Sequence, residues 1–233
     1  MATYVLVHGA WHGGWCWNKV KRVLQAAGAV VYSPTLTGLG ERAHLASRDI
    51  NLETHIEDIL GVLKFEELSD VILVGHSYAG MIVTAVADRV PRTLSRVVYL
   101  DAMVPRDGQS LFDCAGPEFR RQIEELVREQ GVGWKIPAAS AQKLGLVREE
   151  DIRWVVPKLV PHPYRTFIEP VYLEVPAAKG VPSTYINCIG DQAPGGPRTA
   201  QAEGIADYHE LATGHDAMIT LPGDVAKLLL AVA

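Results

Sequence analysis

The chain has 233 residues, of which 48% are hydrophobic, and its formal net charge at pH 7 is −5. This length allows one large domain with an insertion, and the hydrophobic fraction is sufficient for a sizeable core. Because nucleic acids and anionic membrane surfaces are bound by basic faces, the acidic balance argues against both as partners.

The cysteines and the N-terminal residues predict a cytoplasmic protein. Cys16, Cys114 and Cys188 are odd in number and widely spaced, which suits neither a disulfide framework nor a zinc site. Residues 4–7 form an apolar strand pattern without the basic start of a signal peptide. No apolar run approaches the ~18–20 residues that a membrane span requires, so we expect no membrane contact.

Short apolar runs alternate with segments of helical periodicity in the first 104 residues, which predicts βα units around a mostly parallel sheet. The run at residues 71–74 is continuously apolar, as in a strand that is covered on both faces. Asn51 is the predicted N-cap of one helix. The predicted elements are, in chain order, strand 4–7, helix 17–27, strand 29–32, the helix after Asn51, strand 71–74, helix 79–90 and strand 97–100.

The pattern changes in residues 105–180, which hold helix-like segments but no convincing buried strand. Phe119, Ile123 and Leu126 mark one such helix. We interpret 105–180 as a helical lid inserted into an α/β core that comprises 1–104 and 181–233. Basic and acidic residues balance within the lid, which favours an uncharged substrate. Beyond it, the pattern predicts strands 184–189 and 208–211 and a helix at 225–232.

A candidate nucleophile follows the most buried predicted strand. Gly75-His76-Ser77-Tyr78-Ala79-Gly80 lies between that strand and a helix, close to the Gly-x-Ser-x-Gly pattern of a nucleophile elbow. The second glycine is displaced by one position, and Ala79 stands in its place. At such a turn a serine is held in a strained conformation that exposes its hydroxyl, so we predict Ser77 as the nucleophile.

A serine hydroxyl needs a base within hydrogen-bond distance and an acid behind the base. Chain order leaves His162, His209 and His215 as bases, and His215 is favoured because it lies in a loop after the last predicted strand. Asp191 follows the strand before it and is the preferred acid. Asp101, at the end of the strand 97–100, is the alternative.

An oxyanion needs N–H donors that are already in position. One is the backbone amide of Tyr78, directly after the nucleophile. The other is expected in the loop His8-Gly9-Ala10-Trp11-His12-Gly13-Gly14-Trp15, which has the small residues that allow close approach to a ligand. No His, Cys, Asp and Glu residues have metal-ligand spacing, so we expect neither a metal nor another cofactor.

These residues together resemble the α/β-hydrolase superfamily, and within it the branch of plant methyl-ester esterases, hydroxynitrile lyases and their bacterial esterase relatives. The similar stretches are Val5 to Trp17, Gly38-Leu39-Gly40-Glu41-Arg42, Gly75 to Gly80, Tyr99-Leu100-Asp101-Ala102-Met103-Val104-Pro105, Ile189-Gly190-Asp191 and Gly214-His215. The resemblance implies an α/β-hydrolase fold, a Ser77–His215–Asp191 triad and oxyanion donors at Ala10 and Tyr78. Bacterial relatives of this kind include esterases that act on bulky esters and carbamates.

Three functions remain open from the sequence: a carboxylesterase acting on a small to medium, uncharged ester or carbamate, a C–C lyase that splits cyanohydrins, and a small-molecule receptor. The intact set of catalytic residues argues against the receptor. Relatives that are lyases have a lysine after the catalytic histidine and a threonine in the first loop, whereas this chain has Asp216 and Ala10. Cyanohydrin cleavage releases cyanide, which the positive lysine can stabilise. A carboxylate at position 216 is expected to repel that anion, so the esterase is preferred. We expect a monomer or a homodimer.

Overall fold

A six-stranded parallel sheet forms the centre of the protein in a computed structural model, which describes residues 1–174, 180–190 and 204–233. The strands in chain order are β1 (Thr3–Val7), β2 (Val30–Tyr32), β3 (Val71–His76), β4 (Leu94–Leu100), β5 (Lys135–Ile136), β6 (His162–Pro163), β7 (Ser183–Cys188) and β8 (Asp207–Leu211). The order across the sheet is β2-β1-β3-β4-β7-β8, and β5 and β6 form a separate antiparallel pair. Parallel neighbours require crossover connections, which the helices supply.

Helices follow most strands, as the alternating pattern predicted. The α-helices of the described residues are α1 (Asn18–Ala26), α2 (Leu52–Phe65), α3 (Ala79–Arg89), α4 (Leu111–Ala115), α5 (Pro117–Glu129), α6 (Glu149–Val155), α7 (Arg165–Ile168), α8 (Ala217–Thr220) and α9 (Pro222–Ala231). Short 3-10 helices cover Gly14–Trp17, Gly40–Leu45, Pro91–Thr93 and Val156–Lys158. The predicted cap of α2 is confirmed, because Asn51 Oδ1 accepts a hydrogen bond from the Thr54 amide at 2.9 Å.

The central strands are covered on both faces, as their continuous apolar runs predicted. All six residues of β3 are buried. Leu73 packs in a cluster with α2 and α3 on one face, whereas Val74 packs with α1 and α9 on the other. Burying one such side chain completely contributes about 1.5–3 kcal/mol. This double cover fixes the position of the strand that carries Ser77 at its end.

The segment between β4 and β7 consists mainly of short helices. α5 contains the predicted helical spacing of Phe119, Ile123 and Leu126 and ends before Gly131. The strands β5 and β6 differ from the expectation of no strand here, because two-residue strands are too short to produce a periodic pattern. The division into a core and a lid at 105–180 stays a prediction. Within the described residues, no helix is long and apolar enough to span a bilayer.

Candidate active site

Ser77 lies on a strained turn between β3 and α3. Its φ angle is +56°, in the left-handed region that non-glycine residues rarely adopt. The turn is held by hydrogen bonds from the Ser77 amide to the Leu100 carbonyl at 3.2 Å and from the amides of Gly80 and Met103 to the Ser77 carbonyl, each at 3.1 Å. The backbone of the predicted nucleophile elbow is therefore present, with Ser77 at its most strained point.

The packing around the elbow explains why its second glycine is displaced. A Cβ atom on Gly80 would lie 1.8 Å from the Met103 carbonyl oxygen, and one on Gly75 would lie 2.8 Å from Val83. Ala79, by contrast, fits with its methyl group fully buried. In this chain the position that must lack a side chain is 80, so alanine at 79 leaves the turn intact.

His215 is the candidate base whose ring lies against Ser77. Its Nε2 lies 2.8 Å from Ser77 Oγ, and the residue is in the loop between β8 and α8. The other two candidates lie elsewhere. His162 is buried with its ring 4.8 Å from that of Tyr78, and His209 pairs with Asp207 at 3.0 Å. The structure thus brings the favoured histidine, and neither alternative, to the serine.

The carboxylate on the far side of His215 is Asp101, not the preferred Asp191. Asp101 Oδ2 lies 2.5 Å from His215 Nδ1, and Asp101 is 1% exposed. Since a carboxylate only accepts, Nδ1 carries the proton and Nε2 is left to accept from the Ser77 hydroxyl. Asp191 lies outside the described residues. The contact that we expected from it is made by the alternative residue.

Sheet register gives the physical reason for this difference. β4 pairs directly with β3, with Leu100 opposite His76, so Asp101 follows the strand adjacent to the nucleophile. β7, which precedes Asp191 in the chain, is one strand farther from β3. Asp101 also has a φ angle of +44°, which marks a second strained turn at this edge of the sheet. Chain order alone does not reveal which strands are neighbours in the sheet.

The two residues predicted to donate their amides to an oxyanion both lie at the cavity beside Ser77. Ala10 and Tyr78 line it together with Ser77 and His215. Neither amide donates a hydrogen bond to another residue in the part of the chain that the structure describes. A Cβ atom on Gly9 would lie 3.0 Å from that of Ser77, so the glycine permits the first loop to approach the elbow. The amides of Ala10 and Tyr78 thus stay the candidates for the oxyanion donors.

The Tyr78 side chain is anchored beneath the cavity. His55 Nε2 lies 2.9 Å from the Thr37 carbonyl, which can only accept, so His55 Nδ1 accepts the Tyr78 hydroxyl at 2.9 Å. Burial lowers the pKa of His55 to about 4, so the ring is neutral near pH 7. Burial also raises the pKa of the Tyr78 phenol. This anchor fixes the adjacent amide, and no sequence motif indicated it.

Asp216 does not face the cavity. It is fully buried, and its Oδ2 lies 3.0 Å from Nε2 of His12. The expectation that its carboxylate would repel a departing anion is therefore wrong, because the charge is turned toward another histidine behind the site. The sequence placed the residue correctly next to His215 but could not give the direction of its side chain.

A cavity of about 260 Å³ opens above Ser77. Its wall is mostly apolar and includes Trp11, Met103, Leu111, Phe119, Ile123, Leu126, Leu144 and Phe167. Gln130, Ser140 and Lys143 add polar groups. The α5 residues that the sequence assigned to a lid helix thus form part of this wall. Groups of three or more His, Cys, Asp or Glu side chains that could hold a metal ion are absent from residues 1–174, 180–190 and 204–233.

Comparison with known proteins identifies related sequences along the whole chain. Residues 4–228 match the profile of a family described as the alpha/beta hydrolase family. The carbendazim hydrolyzing esterase of Nocardioides sp. (strain SG-4G) is 39% identical, with all of both chains covered. Methylesterase 1 of Arabidopsis thaliana is 36% identical over a match that covers 44% of this chain and 40% of that protein.

Solved structures with lower sequence identity share the fold. An extracellular alpha/beta-hydrolase from a Paenibacillus species is 23% identical, with a TM-score of 0.87 and coverage of 100% of this chain and 99% of that one. A pyrethroid hydrolase from Sphingobium faniae JZ-2 is 22% identical, with a TM-score of 0.78 and coverage of 99% and 96%. The parallel sheet and its flanking helices are therefore common to these proteins.

Proposed function

The chain belongs to the alpha/beta hydrolase family, and on that premise we propose that it is a serine esterase that hydrolyses a small, mostly apolar ester or carbamate. One observation carries the proposal. His215 lies between Ser77 Oγ at 2.8 Å and Asp101 Oδ2 at 2.5 Å, beside the open cavity. A base in this position can activate the hydroxyl, and a buried carboxylate can hold the base in the required tautomer.

In the acylation step, Ser77 Oγ attacks the substrate carbonyl carbon while His215 Nε2 accepts the hydroxyl proton. The carbonyl oxygen becomes an oxyanion that the amides of Ala10 and Tyr78 stabilise. Asp101 stabilises the imidazolium that forms. The tetrahedral intermediate then collapses, the bond to the leaving group breaks, and His215 donates its proton to that group.

Deacylation repeats the same steps with water as the nucleophile. His215 takes a proton from water, the hydroxide oxygen attacks the acyl carbon on Ser77, and the amides of Ala10 and Tyr78 again hold the oxyanion. Collapse of this intermediate breaks the bond to Ser77 Oγ, which recovers its proton from His215. The products are a carboxylic acid, or a carbamic acid from a carbamate, and the free enzyme.

The cavity supports a substrate of limited size and low polarity. Its volume of about 260 Å³ is slightly below the range of common small-molecule sites. The wall is predominantly apolar, with Gln130, Ser140 and Lys143 as its polar members besides the catalytic groups. A carbendazim hydrolyzing esterase is 39% identical to this chain, and a pyrethroid hydrolase shares its fold, so esters and carbamates with aromatic parts are the first to test.

The esterase is distinguished from the C–C lyase by two parallel assays. Ala10 supplies an amide but no hydroxyl to the cavity, which suits an ester oxyanion better than a cyanohydrin hydroxyl. Purified protein is incubated with 4-nitrophenyl acetate and, separately, with mandelonitrile. We expect nitrophenol release that Ser77→Ala abolishes, and cyanide release no faster than in buffer. Cyanide release without nitrophenol release would establish the lyase, and neither product would favour a receptor.

A further inference from the structure

His12 lies behind the active site with both of its ring nitrogens facing hydrogen-bond acceptors. Nδ1 is 2.7 Å from the Ala10 carbonyl oxygen, and Nε2 is 3.0 Å from Asp216 Oδ2. A neutral imidazole has a single N–H and could satisfy one of the two. Since a carbonyl and a carboxylate only accept, the contacts require His12 to carry both protons as an imidazolium.

His12 and Asp216 therefore form a buried ion pair. His12 is 1% exposed and Asp216 is fully buried. Burial opposes the charge on His12, but the attraction of Asp216 and the hydrogen bond to it outweigh this and raise its pKa. Burial likewise opposes the charge on Asp216, yet His12 lowers the pKa of that carboxyl overall. The pair is therefore neutral as a unit.

This pair connects two of the groups that act on the substrate carbonyl. His12 contacts the carbonyl oxygen of Ala10, a residue that lines the cavity, and Asp216 directly follows His215. A second connection lies beside it, because His76 Nε2 donates to the His215 carbonyl at 3.0 Å and His76 directly precedes Ser77. The proposed oxyanion donor, base and nucleophile come from three separate loops, and these side chains link the loop of His215 to each of the other two.

We infer that His12 is a positioning residue for ester hydrolysis: held by Asp216, it sets the Ala10 amide against the oxyanion that forms as Ser77 attacks. The inference rests on the proposed function. His12 does not line the cavity, so it acts through Ala10 and not on the substrate. Losing one oxyanion donor typically lowers kcat by about 10²–10³-fold, and a displaced donor costs part of that.

Two substitutions separate the two contacts of His12. The amide nitrogen of asparagine falls near the position of Nδ1, so His12→Asn keeps a donor toward Ala10. The side-chain amide nitrogen of glutamine falls near Nε2, so His12→Gln keeps a donor toward the side chain at position 216 and loses the contact with the Ala10 carbonyl. Both are made together with Asp216→Asn, because an unpaired buried carboxylate would destabilise the fold. In the Asp216→Asn background a neutral His12 can still make both hydrogen bonds.

Four quantities are measured: kcat and KM for 4-nitrophenyl acetate, the melting temperature, and the affinity for phenylboronic acid. The boronic acid is chosen because its adduct on Ser77 is expected to place an oxygen between the Ala10 and Tyr78 amides. In the Asp216→Asn background, we expect His12→Gln to lower kcat at least tenfold more than His12→Asn does. The affinity for the boronic acid should fall with kcat, whereas KM stays within about twofold. The exposed His44→Gln is the matched control and should leave all four values unchanged.

Two results would overturn the inference. One is equal kcat for the Asn and Gln substitutions in this background. The other is a parallel change of kcat, KM and melting temperature, which a merely structural role would produce. If the proposed esterase function itself is wrong, the result differs from both of these, because the unmodified chain then releases no nitrophenol in a Ser77-dependent way.

Discussion

Replacing Asp101 with asparagine should abolish most of the esterase activity without disturbing the fold. The side chain keeps its shape, and asparagine tolerates the φ angle of +44° found at this position. What changes is the contact at 2.5 Å with His215 Nδ1. If asparagine turns its amide oxygen toward Nδ1, that neutral oxygen cannot balance the charge of the imidazolium. If it turns its NH2 group toward Nδ1, the ring proton must lie on Nε2, which then cannot accept the proton of the Ser77 hydroxyl.

The size of the effect follows from this geometry. In triads with a buried carboxylate on Nδ1, the same substitution lowers kcat by about 10⁴-fold. This corresponds to about 5.4 kcal/mol of transition-state stabilisation at 25 °C. Because His215 is the base in both half-reactions, acylation and deacylation should both slow. KM should change little, since Asp101 does not line the cavity.

The assay compares Asp101→Asn with Asp191→Asn on 4-nitrophenyl acetate, with the melting temperature measured in parallel. We expect the first to lose about four orders of magnitude in kcat and the second to lose less than about tenfold. A folded Asp101→Asn enzyme with near-normal kcat, alongside an inactive Asp191→Asn enzyme, would refute the assignment. The acid would then belong after β7, as the sequence had suggested.

Three further predictions concern stability and cofactors. Burial lowers the pKa of His8 and His76 to about 3 and that of His55 to about 4. The unfolded chain therefore binds more protons below its histidine pKa near 6.5, and the free energy of unfolding should fall by about 1.4 kcal/mol per histidine per pH unit toward pH 4. A melting temperature that stays constant between pH 6 and 5 would contradict this. Gly80→Ala should cost about 1–3 kcal/mol in denaturant unfolding, because its methyl group meets the Met103 carbonyl, and a change below 0.5 kcal/mol would argue against that packing. Chelators should leave esterase activity unchanged, and loss that a divalent ion restores would be the contrary result.

The fold was largely predictable because its signals are local. A continuous apolar run at residues 71–74 indicated a strand with two covered faces, and an asparagine before a helical repeat located the start of α2. The pair β5 and β6 was missed since two-residue strands have no period to detect. The intracellular location, the oligomeric state and the boundaries of the lid stay predictions.

The candidate site was predictable where one short segment determines its geometry. It was less predictable where the geometry depends on which strands are neighbours in the sheet. Ser77 and His215 follow from a turn motif and from chain order. The contact of Asp101 with His215 depends on β4 lying directly beside β3, which no local pattern encodes. The direction of the Asp216 side chain depends on His12, 204 positions away in sequence.

In the proposed mechanism Ser77 carries a covalent acyl intermediate, which mass spectrometry of the rapidly quenched enzyme can detect. The protein is mixed with a slowly hydrolysed aryl carbamate, quenched in acid and digested. We predict that the peptide containing Ser77 carries the added mass of the carbamoyl group, and that this adduct forms and decays at the rate of turnover. The Ser77→Ala variant should show neither the adduct nor turnover. Continued turnover by Ser77→Ala, or an adduct on another residue that forms at the rate of turnover, would show that Ser77 is not the nucleophile.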